Sequence, residues 1–282
     1  MKTRIISGII IAAIFAVFML FAHVPFVLNT AIALLSAAAL YETLIVTKYV
    51  ESKALMWMSI VMAIIVPFIA PVMTFFPSAY AHVSTALVFA IFVYILVICI
   101  TMLVSREKFS LEHISFVFLM TVIIPCFFST IIFSNSLSGG VFNILIVFMC
   151  AWGSDTGGYL FGGLYGRHQV TPRISPKKTV EGMIGSVLSS FSAVIFVSYI
   201  CDILIESFTV NYIVAGICGL IGSVCAILGD LFASIIKRSF GVKDFGSVIP
   251  GHGGIMDRFD SILFVAPFIY VVLSVVPIFT VA

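Results

Sequence analysis

Asp230, Ser234 and Lys237 recur at i, i+4 and i+7 in the stretch GDLFASIIKRS, residues 229–239. That spacing puts the three on one face of a helix. A few residues later, KDFGSVIPGHGGIMDRFDS (243–261) adds Lys243, His252, Gly253, Gly254, Asp257, Arg258 and Asp260. An acid beside a long apolar run is costly unless it is paired, hydrated or bound to a cation. Asp230 therefore reads either as a metal ligand on a polar cleft wall or as the partner of Lys237 in a contact that holds helices together. Asp257 and Asp260, at i and i+3, either face one cation or favour a helix N-terminus through its dipole. The bare glycine backbone at 251, 253 and 254 either turns N–H groups toward an anion or makes an ordinary turn after Pro250.

A second polar stretch, WGSDTGGYLFGGLYGRHQVTPRISPKKTVEG (152–182), carries Asp155 among glycines and then Lys177 and Lys178 beside a proline-bent turn. Twin lysines next to a membrane commonly touch anionic headgroups. With Lys237, Arg238, Lys243 and Arg258 nearby in the other stretch, a site for several phosphates is the stronger reading. The acids are hard oxygen donors of the kind Mg²⁺ takes, so Asp230, Asp257, Asp155 and Asp260 are the metal candidates. His252 would donate to a phosphate or position the glycine turn. The sequence has no GxxxxGK[ST] loop and no GxGxxG after a strand, so a nucleotide would bind outside the familiar soluble folds.

The elements that must position these groups are membrane helices. Of 282 residues, 62% are hydrophobic and 9% charged, with 28 Phe. Soluble chains carry about 25% charged residues, and apolar runs of about 20 residues fit helical spans. The expected fold is all-α and polytopic. Nine spans are expected, at 5–22, 24–44, 54–74, 83–104, 112–133, 140–164, 182–201, 210–236 and 261–281. The N-terminal run is read as a retained first span rather than a cleaved signal.

All 14 Lys and Arg fall in alternate loops, which by the positive-inside rule puts the N-terminus and both polar stretches in the cytoplasm. The six cysteines lie in or at the ends of apolar runs without CxxC spacing, as small packing residues. Spans one to five, residues 1–138, would form a scaffold. Spans six to nine with their two cytoplasmic loops, residues 139–282, would carry the chemistry.

The motif Ser234-x-Ile-x-Lys237-Arg238, then Lys243-Asp244-x-Gly246, then IPGHGGIMDRFDS to Ser261, resembles the signature of the phosphatidate cytidylyltransferases. SDTGGYLFGGLYGRH…ISPKKTVEG resembles that family's second motif, with Gly158 and Arg167 standing where Ala and Lys are expected. The resemblance implies transfer of the cytidylyl group of CTP to phosphatidic acid, giving CDP-diacylglycerol and pyrophosphate. It implies Mg²⁺ held by Asp230 and Asp257 with Ser234 beside them, a second cation such as K⁺, and Asp155 and Asp260 as further candidates for the metal or for orienting the basic residues. Lys237, Arg238, Lys243, Lys177 and Lys178 would hold phosphates. The implied partners are CTP, phosphatidic acid, the bilayer of a bacterial inner membrane and a second copy of the chain, with no nucleic acid.

Two rivals differ in chemistry. A CTP-dependent polyprenol kinase would move the γ-phosphoryl to an alcohol and need a base for the hydroxyl. An ion-coupled transporter would use Asp155 and Asp230 as carriers, but would line both membrane faces with charge, whereas the basic residues here lie on one.

Overall fold

The computed structural model describes residues 13, 15–24, 26–47, 52–75, 80–104, 111–249 and 253–281. His252, Gly251 and Pro250 lie outside them, as does half of the first expected span. The described elements are α1 (Val27–Thr47), α2 (Lys53–Phe75), α3 (Tyr80–Val104), α4 (Leu111–Ser136), α5 (Val141–Tyr165), β1 (Gln169–Thr171), β2 (Ser175–Thr179), α6 (Val180–Leu204), β3 (Phe208–Val210), α7 (Tyr212–Ser239), α8 (Met256–Val275) and β4 (Phe279–Val281). Each of the eight expected spans after the first has its helix. Among the described residues, seven helices are long and apolar enough to cross a membrane, and α2 adds an apolar stretch over Lys53–Ile69.

Helices dominate, as expected of an all-α polytopic chain, and two small two-stranded sheets are added to them. SPKKT is a strand, not a bent turn: β2 pairs antiparallel with β1, Gln169 opposite Thr179 and Thr171 opposite Ser175. The last helix stops at Val275, short of residue 281, because Pro277 follows and the chain then extends as β4 to pair with β3.

The chain divides into two compact units, Met1–Ser129 with Asp244–Asp257, and Thr130–Lys243 with Arg258–Ala282. In the first, α1 packs on α2 and α2 on α3. The buried Asn29 amide donates to the Pro67 carbonyl at 2.9 Å. In an uninterrupted helix that carbonyl would receive the N–H four residues on, but residue 71 is a proline and has none. Ser59, Tyr94 and Thr121 form a buried hydroxyl chain, 2.9 and 3.0 Å, that joins α2, α3 and α4.

In the second unit α5, α6 and α7 pack against one another. Small residues let the α5 and α6 backbones approach. A side chain at Gly157 would overlap the carbonyl of Gly185, and one at Gly185 would overlap Phe161. Ser154 and Ser223 hydroxyls meet at 2.9 Å between α5 and α7, and Ser190 donates to the Gly219 carbonyl at 2.9 Å. Cys150 and Cys218 are buried packing residues with free thiols.

Candidate active site

Helix α7 delivers Asp230, Ser234 and Lys237 as its spacing predicts. Asn211 caps its start by accepting the Val214 N–H at 3.2 Å, and Lys237 and Arg238 sit in its last turn, where cations suit the helix dipole. Asp230 is half-buried and Ser234 buried. The α7 residue before Asp230 is Gly229. A Cβ there would overlap the carbonyl oxygen of Asp260 and come within 3.2 Å of the Ser261 Cα. The bare glycine thus lets α7 and α8 touch backbone to backbone beside the two acids.

A third acid comes from α5. Asp155 Oδ2 accepts a hydrogen bond from the Ser261 hydroxyl at 3.2 Å. Asp155, Asp230 and Asp260 are close enough to act on one another electrostatically, as are Lys178 and Arg258 on Asp155, and Lys237 on Asp260. Asp260 is buried, and its Oδ1 accepts the Ser261 N–H at 2.8 Å. Three acids and three cations therefore share one polar centre within the second unit.

The hairpin β1–β2 separates the twin lysines. Neighbours on a strand point to opposite faces. Lys178 is turned inward, where its ammonium pairs with Asp230 at 2.7 Å and donates to the Ile227 carbonyl at 3.3 Å. Lys177 is exposed. Glu181, in the first turn of α6, holds the base of the hairpin. Its carboxylate accepts the N–H groups of Arg167 and His168 at 3.0 and 3.3 Å and meets the His168 ring at 2.6 Å. Thr179 caps α6 by accepting from Gly182. Arg238 reaches the hairpin turn, donating to the Ile174 and Val242 carbonyls at 3.3 Å each.

The remaining candidates lie in the segment 244–257 of the first unit and at its edges. Asp257 Oδ2 accepts the N–H groups of Phe245 and Gly254 at 2.8 and 2.9 Å, so this acid holds the glycine turn. Gly253 takes a φ of 85°, in the left-handed region where glycine is at ease. Lys243 and Arg258, which flank the segment, are exposed. Glu42, which the motif reading passes over, is buried in α1. It is the only charged residue of that helix, which is the signal that marks it.

Residues 2–276 match the cytidylyltransferase family. The chain belongs to the cytidylyltransferase family. A phosphatidate cytidylyltransferase of Bacillus subtilis (strain 168) is 33% identical over 287 residues, covering 97% of this chain and 98% of the relative. Proteins of the same name are 39% identical in Staphylococcus haemolyticus (strain JCSC1435) over 169 residues and 41% identical in Staphylococcus aureus (strain COL) over 170 residues. Each staphylococcal match covers 60% of this chain and 62% of the relative.

Among the described residues, no three His, Cys, Asp or Glu side chains form a ready metal-binding group. The donors at the polar centre are nonetheless carboxylate oxygens. Mg²⁺ commonly takes one or two such carboxylates and completes its shell with water and substrate phosphates. The donor chemistry thus fits a divalent ion that arrives with a nucleotide.

Proposed function

We propose that this cytidylyltransferase transfers the cytidylyl group of CTP to phosphatidic acid, releasing pyrophosphate and leaving CDP-diacylglycerol in the membrane. The observation that carries the proposal is the Lys178–Asp230 ion pair at 2.7 Å, partly open to solvent, beside Asp155, which the Ser261 hydroxyl meets at 3.2 Å. A phosphate oxygen of the lipid attacks the α-phosphorus of CTP. The bond from that phosphorus to the oxygen bridging to the β-phosphate breaks, and pyrophosphate leaves with the electron pair. The attacking oxygen is already ionised near neutral pH, so no side chain has to remove a proton from it. The barrier is repulsion between two phosphate groups, and positioned cations answer it.

Lys178, Lys237 and Arg258 are the cations closest to that task, with Arg238, Lys243 and Lys177 at the approaches. When phosphates draw these cations away, Asp155, Asp230 and Asp260 lose their compensation. Mg²⁺ held by Asp230, with Asp155 and Asp260 at hand, would restore it and neutralise charge on the phosphates; the motif resemblance adds Asp257 as a further ligand. Asp257 can hold the glycine turn and still ligate, because a carboxylate has about four lone-pair sites.

A nine-span topology with the N-terminus and the polar centre in the cytoplasm, where CTP is found, agrees with the alternate placement of all 14 Lys and Arg.

The test is to incubate the purified protein with CTP labelled in the cytosine, Mg²⁺ and phosphatidate vesicles and to identify the products. CDP-diacylglycerol and pyrophosphate are expected. Free CDP with a newly phosphorylated lipid alcohol, when a polyprenol is supplied, would replace the proposal with a kinase.

A further inference from the structure

Glu42 stands alone as a charge in the 21-residue helix α1, and its side chain is 94% withdrawn from solvent, with a relative exposure of 6%. Such an acid is retained when it is used. Its Oε2 accepts the N–H of Met256 at 2.9 Å, across 214 positions of sequence. Met256 is the first residue of α8. The first N–H groups of a helix have no partner inside it and attract negative charge. A distant helix therefore caps the element that carries Asp257, Arg258, Asp260 and Ser261.

The seat is tight. A Cβ at Gly246 would lie 2.7 Å from Glu42 Oε1, and a Cβ at Gly254 would overlap Oε2. Oε1 is buried with no hydrogen-bond partner among the described residues. Two glycines of the motif are thus explained by the carboxylate that occupies the space beside them. Asp257 grips the same turn through Phe245 and Gly254. The turn is held by two acids, one local and one from α1.

We infer that Glu42 is a positioning residue for the cytidylyl transfer: by holding the Met256 N–H between Gly246 and Gly254, it fixes the glycine turn and the start of α8, and with them the carboxylate of Asp257. This inference rests on the proposed function. Glu42 touches no substrate in this scheme and acts through the backbone of the turn.

Three variants of the full chain in detergent micelles test it: Glu42→Gln, which keeps an oxygen acceptor; Glu42→Leu, which removes it; and Gly246→Ala, which crowds the carboxylate from the other side. Amide hydrogen exchange over 244–257 is read beside kcat, the KM for CTP and the melting temperature. Glu42→Leu and Gly246→Ala should speed exchange at the turn and lower kcat by about tenfold or more, the worth of one hydrogen bond to a charged group. Glu42→Gln should restore most of both. Unchanged exchange and kcat in the Leu variant overturn the inference. So does a loss of equal depth in Gln and Leu that tracks the melting temperature, which marks a purely structural acid. If the Leu variant does not fold, Gly246→Ala decides alone, and unaltered exchange at Met256 overturns the inference. A wild-type protein that makes no CDP-diacylglycerol sinks the functional reading, while exchange still reports whether Glu42 holds the turn.

Discussion

The Lys178 ammonium lies 2.7 Å from the Asp230 carboxylate, with about a third of the Asp230 side chain still open, at 36% exposure. The pair is therefore neither sealed in the protein nor fully hydrated. A charge pair in this setting can exchange partners at small cost, whereas a fully buried one cannot give up either member cheaply. An incoming phosphate can take Lys178, and a cation can take Asp230.

Replacing Lys178 by alanine should therefore cost more than replacing its neighbour. Steady-state assays of Lys178→Ala are expected to show kcat/KM for CTP reduced by about tenfold to a hundredfold, in line with loss of a charge-assisted phosphate contact. Lys177→Ala should lose clearly less. Equal losses would show that the strand does not sort the two lysines by role.

Asp230→Asn keeps the size of the side chain and removes its charge. Product formation should be abolished while the protein still purifies as a monodisperse species. Substantial turnover would remove Asp230 from the chemistry.

Asp257 has two tasks, and two substitutions separate them. The amide oxygen of Asp257→Asn still accepts the Phe245 and Gly254 N–H groups, whereas Asp257→Ala leaves both without this partner. If ligation matters, both variants are inactive, and only the alanine variant also loses about 1–3 kcal/mol of stability for the groups left unsatisfied. Activity in Asp257→Asn together with inactivity in Asp257→Ala would assign this acid to the turn alone. Thermal unfolding and CDP-diacylglycerol assays on the same preparations give the answer.

Chelating divalent metal should stop turnover, and Mg²⁺ should restore it. Titration calorimetry with Mg²⁺ in the presence of CTP is expected to show weaker binding in Asp230→Asn than in the wild type. Full activity in excess chelator would remove the metal from the proposal.

Gly229→Ala adds one methyl between α7 and the backbone of Asp260 and Ser261. Backbone cannot step aside as a flexible side chain can, so a stability loss of about 1–3 kcal/mol is expected. Activity should fall further than stability alone would predict, because Asp230 and Asp260 would be pushed apart. A variant of normal stability and activity would show that the close approach is dispensable.

The face of α7 was legible from i, i+4, i+7 spacing, since helical periodicity needs no tertiary information. The paths of eight apolar helices, seven of them long enough to cross a membrane, were legible from their apolar runs for the same reason. Other features were not. SPKKT has a proline and two lysines, which are poor strand formers. It becomes a strand because Gln169–Thr171 supplies a partner and Glu181 clamps the hairpin base, both of which are choices of the folded chain. The end of α8 was misplaced because hydropathy runs on past Val275 while the backbone turns to meet β3. Glu42 belongs to a helix with no motif, and its contact with Met256 spans 214 positions. Only its isolation as an acid among apolar residues pointed to it.

The pairing of β1 with β2 has a further consequence for how this protein tolerates change. If the second strand slid by a single position, its two faces would trade places, and residue 177 would be presented to Asp230 instead of residue 178. The incoming group would still be a primary ammonium on the same four-carbon stem. The doublet thus acts as insurance against frame errors: a one-residue insertion in the hairpin turn, which would silence a site served by a solitary lysine, should leave this one partly working.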